Sequence, residues 1–247
     1  MTLPFDLGPA GLAWLMLAGF GAAWVRGYSG FGFGALMIAA GGLVVNPLRL
    51  VAVVMLADLV LSAQLWRGVR PRIDWPRAWT LFAGALIGLP LGLWLLTGLP
   101  ETVMRLIVSV WILAMGLILL GGWVLRTTGR AVVLGTGTIS GAANAAGVGG
   151  LPVVALLAAQ AMPAAAFRAT LIAYFLLLDL WTLPLLWAFG LVDADTLLAL
   201  AVLTPAFMAG TWAGSRRFAA AAPEDFRRFA VWALIGLAGL NILRALS

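Results

Sequence analysis

Ionisable residues within apolar stretches are the first side chains of this sequence that could do chemistry. Asp58 lies in VVMLADLVLSAQ, Asp179 lies in YFLLLDLWTLP, and Arg26 closes an apolar stretch near the start of the chain. In membrane proteins, such residues mark ion or proton pathways. The two aspartates are therefore candidates to carry a coupling proton. For each of them, a structural ion pair with an arginine is the alternative.

Three arginines are candidates to bind an anion. Arg49 and Arg168 each follow a proline that opens a long apolar segment, and Arg26 ends a shorter one. A planar guanidinium offers paired N–H donors that suit an oxyanion. The alternative for Arg49 and Arg168 is a side chain that extends to the membrane surface. Arg26 would be an interfacial anchor if its segment crosses the membrane fully, and a mid-membrane charge if it does not.

Two glycine-rich clusters, at 27–34 and 141–150, surround further candidate ligands. Neither cluster has the strand or the Gly-Lys-Ser/Thr sequence of a nucleotide-binding loop. We expect helix ends at these clusters to direct N–H groups at an anion within the membrane. Close helix packing through small residues is the alternative. The candidate ligands are Tyr28, Ser29, Gly30, Gly32, Gly34, Ser140, Asn144, Gly147, Gly149 and Gly150.

The composition indicates a membrane protein and excludes several kinds of chemistry. The chain is 64% hydrophobic and only 10% charged, so little of it is left for a soluble domain. It contains no cysteine and no histidine, which removes thiol chemistry and the commonest metal ligand. We expect no cofactor, no metal and no nucleic-acid partner. The expected partners are the lipid bilayer and a small anion, and a homodimer is compatible with the sequence.

Ten apolar segments are predicted as helices, five in each half of the chain. The first two of each half are short, and at about 1.5 Å per residue they span only about 20–24 Å of a bilayer core of about 30 Å. They are predicted as re-entrant half-helices or as short tilted crossings. The segments are 10–25, 31–45, 49–66, 77–97, 102–125, 131–145, 149–161, 165–189, 195–215 and 226–246.

The two halves repeat a pattern of glycine and proline. Gly34 and Pro47 recur at identical spacing as Gly150 and Pro163. Further pairs keep their order along the chain, such as Pro100-Glu101 with Pro223-Glu224 and Gly88-x-x-x-Gly92 with Gly210-x-x-x-Gly214. We therefore divide the single membrane domain into a first repeat, 1–128, and a second repeat, 129–247.

The distribution of arginine predicts the orientation. The connections 67–77 and 215–228 contain four arginines each, whereas 98–101 and 190–195 contain acidic residues and no arginine. Basic connections favour the cytoplasm. This rule places both termini outside the cytoplasmic membrane and makes the two repeats opposite in topology. An odd number of segments per repeat predicts the same inversion.

The glycine clusters and the repeat resemble the TauE/SafE family over essentially the whole chain. The motifs are Ser29-Gly30-Phe31-Gly32-Phe33-Gly34, then Ser140-Gly141 followed by Ala146-Gly147-Val148-Gly149-Gly150-Leu151-Pro152, and the pattern from Pro163 to Thr170. Members of this family are described as sulfite exporters and organosulfonate transporters. The resemblance implies that this chain moves a small sulfur-containing anion, a class that composition does not specify.

The leading hypothesis is a secondary transporter for sulfite, sulfoacetate or another organosulfonate, working by alternating access, with proton coupling as an open option. A transporter for another small anion and a passive anion channel are the alternatives. We do not expect an enzyme. Histidine is absent, and an aspartyl mechanism would require Asp58 and Asp179 to meet. Neither of them lies in the Gly-x-Gly-Asp setting of intramembrane aspartyl proteases.

Overall fold

The computed structural model describes residues 4–120, 129–160 and 162–218, which fold into nine α-helices with no strand among these residues. The all-helical prediction is confirmed for this part of the chain. The predicted tenth segment, 226–246, lies outside it, as do the second Pro-Glu motif and most of the link between the repeats. The helices are α1 (Pro9–Ser29), α2 (Phe33–Gly41), α3 (Pro47–Val69), α4 (Trp75–Thr97), α5 (Glu101–Leu120), α6 (Arg130–Asn144), α7 (Gly150–Ala158), α8 (Ala164–Ala188) and α9 (Ala194–Phe218).

Five of the described helices are long and apolar enough to cross a membrane. Large apolar side chains cover their outer faces, and Trp94 and Trp187 are each 72% exposed. Exposure of such an apolar surface to water would be unfavourable, whereas contact with lipid chains is favourable. The chain is therefore a multi-pass membrane protein. The five spans are Arg49–Arg72, Trp75–Thr97, Glu101–Ile118, Ala164–Ala188 and Ala194–Arg217.

Two helices begin at connections where an aspartate side chain caps the first turn. Asp74 accepts a hydrogen bond from the backbone N–H of Arg77 at the start of α4. Asp193 accepts bonds from both the hydroxyl and the N–H of Thr196 at the start of α9, each at 2.7 Å. These bonds stabilise the charged carboxylate and lower the pKa of Asp193 below its ordinary value.

Helix α1 is longer than the sequence predicted. It runs for 21 residues, or about 31 Å, and includes Arg26 and Tyr28 within its last turns. The apolar segment was predicted to end at residue 25, before the charge of Arg26. The helix continues because the guanidinium is neutralised inside the protein rather than placed in water.

Short helices return along their predecessors to form two hairpins. Gly30 and Gly32 have positive φ values of 85° and 92°, and they reverse the chain between α1 and α2. The indole N–H of Trp14 donates to the Ala40 carbonyl at 2.9 Å across this hairpin. Between α6 and α7 the left-handed residue is Gly147, with φ 75°. Glycine suits these turns because it has no Cβ to clash at positive φ.

Glycine also allows very close helix packing away from the turns. A Cβ added at Gly84, Gly88 or Gly92 of α4 would collide with the backbone of α6. Likewise, a Cβ at Gly210 or Gly214 of α9 would collide with the backbone of α1. Such close approach through small residues is common between membrane helices. The two close pairs, α4 with α6 and α1 with α9, join helices from different halves of the chain.

Helices α3 and α8 pack against each other between these two close pairs. Near the start of α3, Arg49 contacts Asp195 of α9, so α3 and α9 begin at the same end of the bundle. The backbone N–H of Asp74 donates to the Thr170 hydroxyl, which places the start of α8 at the opposite end. The middle turns of α3 and α8 therefore lie side by side deep in the bundle.

Candidate functional site

Arg26 is the largest buried charge among the described residues. It is 1% exposed, and its Nη2 lies 3.0 Å from Oδ2 of Asp58 and 2.6 Å from the hydroxyl of Ser62. Asp58 and Ser62 are one turn apart on α3, so a single helix face presents both to the arginine. The ring of Phe175 lies 5.2 Å from the guanidinium carbon and covers one side of it. Arg26 is thus no interfacial anchor.

Asp179 brings a second carboxyl to this cluster from α8. It is 1% exposed, and its carboxyl lies within hydrogen-bonding reach of that of Asp58. One oxygen of each group, Asp58 Oδ1 and Asp179 Oδ2, has no donor within the described part of the chain. A carboxylate only accepts, so a hydrogen bond between two carboxyls requires a proton on one of them. The pair therefore forms a site suited to holding a proton.

A small cavity of about 30 Å³ opens beside Arg26 and Asp58. A volume of this size holds roughly two waters or a few heavy atoms of a solute. The first turns of α2 and α7, from opposite halves of the chain, form its wall. The remaining lining residues are Gly32, Met55, Asn144, Gly147, Val148 and Phe175.

The ends of α2 and α7 supply backbone donors to this cavity. The first N–H groups of a helix have no acceptor within that helix, and they carry a partial positive charge. At the start of α2, the cavity is lined by Phe33, Gly34 and Ala35, and at the start of α7 by Gly150 and Leu151. Two helix ends together with one guanidinium form a site whose chemistry suits an anion.

Glycine makes the approach of these two helix ends possible. A Cβ at Gly34 would collide with the carbonyl of Gly147, and a Cβ at Gly150 would lie 2.7 Å from the ring of Phe175. A larger residue at either position would push α2 and α7 apart or displace the ring over Arg26. Gly34 and Gly150 thus allow the two helix ends to lie where they form the cavity wall.

Asn144 and Ser140, both on α6, have different places relative to the cavity. Asn144 lines it, and its amide donates to the hydroxyl of Thr182 at 3.2 Å and to the sulfur of Met55 at 3.3 Å. Ser140 is fully buried and donates to the carbonyl of Gly149. It also accepts a 2.7 Å bond from the hydroxyl of Tyr174. Ser140 therefore holds the α6–α7 turn, and Gly149 packs against it behind the wall.

Four of the other predicted ligands lie around the end of α1, next to the cavity but outside its wall. The hydroxyl of Ser29 donates to the carbonyl of Val25 at 2.8 Å, and Tyr28 stacks on Trp24. Arg168 donates to the carbonyl of Gly27 at 2.6 Å, and Gly30 packs on its side chain.

Arg49 lies apart from the cavity at the start of α3. Its side chain is 50% exposed, lies 3.6 Å from Asp195 and covers the ring of Phe5. This is the position of a surface side chain. Of the three predicted arginines, only Arg26 lines the cavity.

Two residues that contact Arg26, Ser62 and Phe175, were not predicted from the sequence. Ser62 carries a signal, since it follows Asp58 by one helical turn and is the next polar residue of that segment. Phe175 carries none, because an aromatic residue in a long apolar segment is indistinguishable from ordinary packing. The structure also places Asp58 and Asp179 together, although they do not occupy equivalent positions in the repeat. They meet because α3 and α8 pack against each other.

Comparison with known proteins gives a family match over most of the chain. The family model described as "Sulfite exporter TauE/SafE" matches residues 15–242, which is nearly the whole chain. Neither the curated proteins nor the solved structures give a significant match. The matched range includes every residue that lines the cavity. The chain therefore belongs to the TauE/SafE sulfite exporter family of membrane transporters.

Proposed function

We propose that this protein is a secondary transporter that moves a small sulfur-containing anion across the cytoplasmic membrane. The candidate anions are sulfite, which the description of its family names, and the related sulfoacetate and other organosulfonates. One observation carries the proposal: the N-terminal ends of α2 and α7 and the guanidinium of Arg26 line one cavity. In a low-dielectric interior, such oriented donors attract negative charge far more strongly than in water.

The size of the cavity favours the smaller members of this class. A space of about 30 Å³ suits an ion of few atoms, such as sulfite, better than one with a longer carbon chain. The three oxygens of sulfite could be bound by the N–H groups of the two helix ends and by Arg26. Asn144 adds a polar side chain to the same wall.

Alternating access would come from movement of the two repeats. If α6–α9 correspond in order to α1–α4, each major helix pairing has a counterpart: α1–α9 matches α4–α6, and α3–α9 matches α4–α8. This correspondence supports the inverted repeat of 1–128 and 129–247. It also supports α1–α2 and α6–α7 as re-entrant hairpins that enter from opposite faces. In that orientation both termini would lie outside.

A coupling proton would be carried by Asp58 and Asp179. Both are buried beside the cavity, and together they form the only close carboxyl pair in the deep part of the described bundle. Buried carboxyls near a substrate site are typical of proton-driven transport. A proton gradient would therefore supply the energy for anion movement.

The test is a flux assay with the purified chain in proteoliposomes. Sulfite, sulfoacetate, taurine and sulfate are offered in turn under an inward proton gradient, and we expect saturable uptake of at least one sulfur oxyanion. Arg26→Gln should lower this uptake by about tenfold or more, since a hydrogen bond to a charged group contributes about 1.5–3 kcal/mol.

Arg130→Gln is the matched control, because Arg130 is exposed at the start of α6 and should leave uptake near the wild-type rate. Absence of uptake for all four solutes would overturn the proposal. Ohmic current that does not saturate would favour a passive channel instead.

A further inference from the structure

We propose that Arg26 is shared between Asp58 and the transported anion, and that a proton on the Asp58–Asp179 pair releases it to the anion. One proton would then accompany each singly charged anion. This inference rests on the proposed function and specifies the order of events at the same site. When the cavity is empty, Asp58 binds the guanidinium, and when the cavity is filled, the anion binds it.

Arg26 and Asp58 both line the cavity while they are bonded to each other. An anion that enters can reach Arg26 only while lying next to the Asp58 carboxylate, which repels it. Both N–H groups of Nη2 are used by Asp58 and Ser62, whereas Nε of the same guanidinium has no hydrogen-bond partner within the described part of the chain. Even when it binds through Nε, the anion therefore competes with Asp58 for the positive charge of Arg26.

A proton resolves this competition. When it adds to the Asp58 carboxylate, the ion pair with Arg26 becomes an ordinary hydrogen bond, and the guanidinium can bind an oxygen of the anion instead. The neutral acid then donates to an acceptor close by, for which the adjacent Asp179 carboxyl is placed. No bond other than this O–H bond forms, and no electron moves.

The charge balance favours one proton per anion. With one proton already shared by the two carboxyls, Arg26 and the pair are together neutral. Addition of a singly charged anion would leave a net negative charge in the apolar interior, which is costly. A second proton restores neutrality, so the filled site can be carried through the bilayer core without net charge.

The other ionisable groups that act on this cluster are few. Arg168 on α8 acts electrostatically on Arg26, and Tyr174 on the same helix acts on Asp179. Helices α2 and α7, which form the wall, contain no ionisable residue. The Asp58–Asp179 pair is therefore the group placed to respond to pH when the cavity fills.

The experiment measures proton uptake upon anion binding to the full chain in lipid nanodiscs. Calorimetric titrations with methanesulfonate and with sulfite are run in two buffers of different ionisation enthalpy. Methanesulfonate keeps its single charge throughout the neutral range, so protons taken up with it belong to the protein. We expect about one proton per methanesulfonate and an affinity that rises about tenfold for each unit of decrease in pH.

Sulfite exchanges protons itself, so its result is read as a difference between variants. In Asp58→Asn with Asp179→Asn, proton uptake with either anion should fall by about one, and the binding of methanesulfonate should lose its pH dependence. Asp195→Asn is the control, because this exposed carboxylate lies near Arg49 and far from the cavity. It should behave as the wild type.

The results separate the two proposals. No binding of either anion would contradict the proposed function itself. Binding without proton uptake by the wild type, or dependence on Na⁺ instead of pH, would overturn only the shared-arginine inference. If the double variant does not fold, the flux of methanesulfonate through the wild type is measured under an imposed membrane potential. Entry of the anion together with one proton carries no net charge, so this flux should not respond to the potential. A flux that follows the potential would overturn the inference.

Discussion

At the scale of single residues, the molecule depends on a buried cation with three neighbours. Arg26 is bonded to Asp58 and Ser62 and covered by Phe175. A buried ion pair is often no more stabilising than well-packed apolar residues of similar volume. Its presence here is therefore better explained by a role in binding than by stability. Removal of one partner alone is a different matter, because it leaves an uncompensated charge.

This asymmetry leads to a prediction about stability. Arg26→Met should lower the free energy of unfolding by about 3–5 kcal/mol, because Asp58 remains buried without its cation. Adding Asp58→Leu should recover most of that loss while leaving anion uptake abolished. Thermal unfolding of the three proteins in the same detergent measures the first effect, and the liposome flux assay measures the second. Equal melting temperatures for the single variant and the wild type would contradict the ion-pair assignment.

At the scale of helices, glycine has two separate tasks. On α4 it brings the helix against the backbone of α6, and at the starts of α2 and α7 it lets two helix ends meet around the cavity. In the sequence both kinds appear simply as glycine in an apolar segment. The glycines of α4 serve close packing, and those at the starts of α2 and α7 lie at the cavity.

A substitution on α4 tests the packing group. Gly88→Ala should destabilise the protein by about 1–3 kcal/mol, since the new methyl group would overlap the α6 backbone around Thr138. Gly135→Ala is the matched control on α6, because nothing lies within 4 Å of its added Cβ. Alanine should leave stability there unchanged or slightly higher. Comparable melting temperatures for the two variants would argue against the close α4–α6 contact.

At the scale of the whole molecule, the connections between helices carry the charges from which the orientation in the membrane is predicted. The basic connection between α3 and α4 and the acidic one between α8 and α9 lie at opposite ends of the bundle, as the contact of Asp74 with Thr170 and that of Arg49 with Asp195 indicate. The positive-inside rule predicts that the first of these connections lies in the cytoplasm.

Because the chain contains no cysteine, its orientation can be tested without background. Single substitutions Arg70→Cys and Ala194→Cys place a thiol on each of the two connections, both at exposed positions. In intact cells a membrane-impermeant maleimide should label the cysteine at position 194 and not the one at position 70. Permeabilised cells, in which both should react, provide the control. The reverse labelling pattern would overturn the predicted orientation and, with it, the placement of the termini.

The sequence alone determined the class of the protein. In lipid, backbone N–H and C=O groups must be paired within the protein, and a long apolar segment pairs its own groups by forming a helix. The apolar segments of this chain therefore predicted an all-helical membrane fold. The glycine clusters and their spacing indicated the family, and both clusters contain residues that line the cavity. Arg26, Asp58 and Asp179 stood out because charge is rare in such segments.

Only the tertiary structure decided which of these residues belong together. Ionisable side chains on different helices carry no sequence signal of their partner, so the meeting of Asp58 with Asp179 depends on how α3 packs on α8. The same packing separates Arg49, at the bundle end, from Arg26, at its centre. The local sequence determines that each of these charges lies in an apolar segment, where burial is unfavourable. Long-range packing determines which partner on another helix compensates that charge.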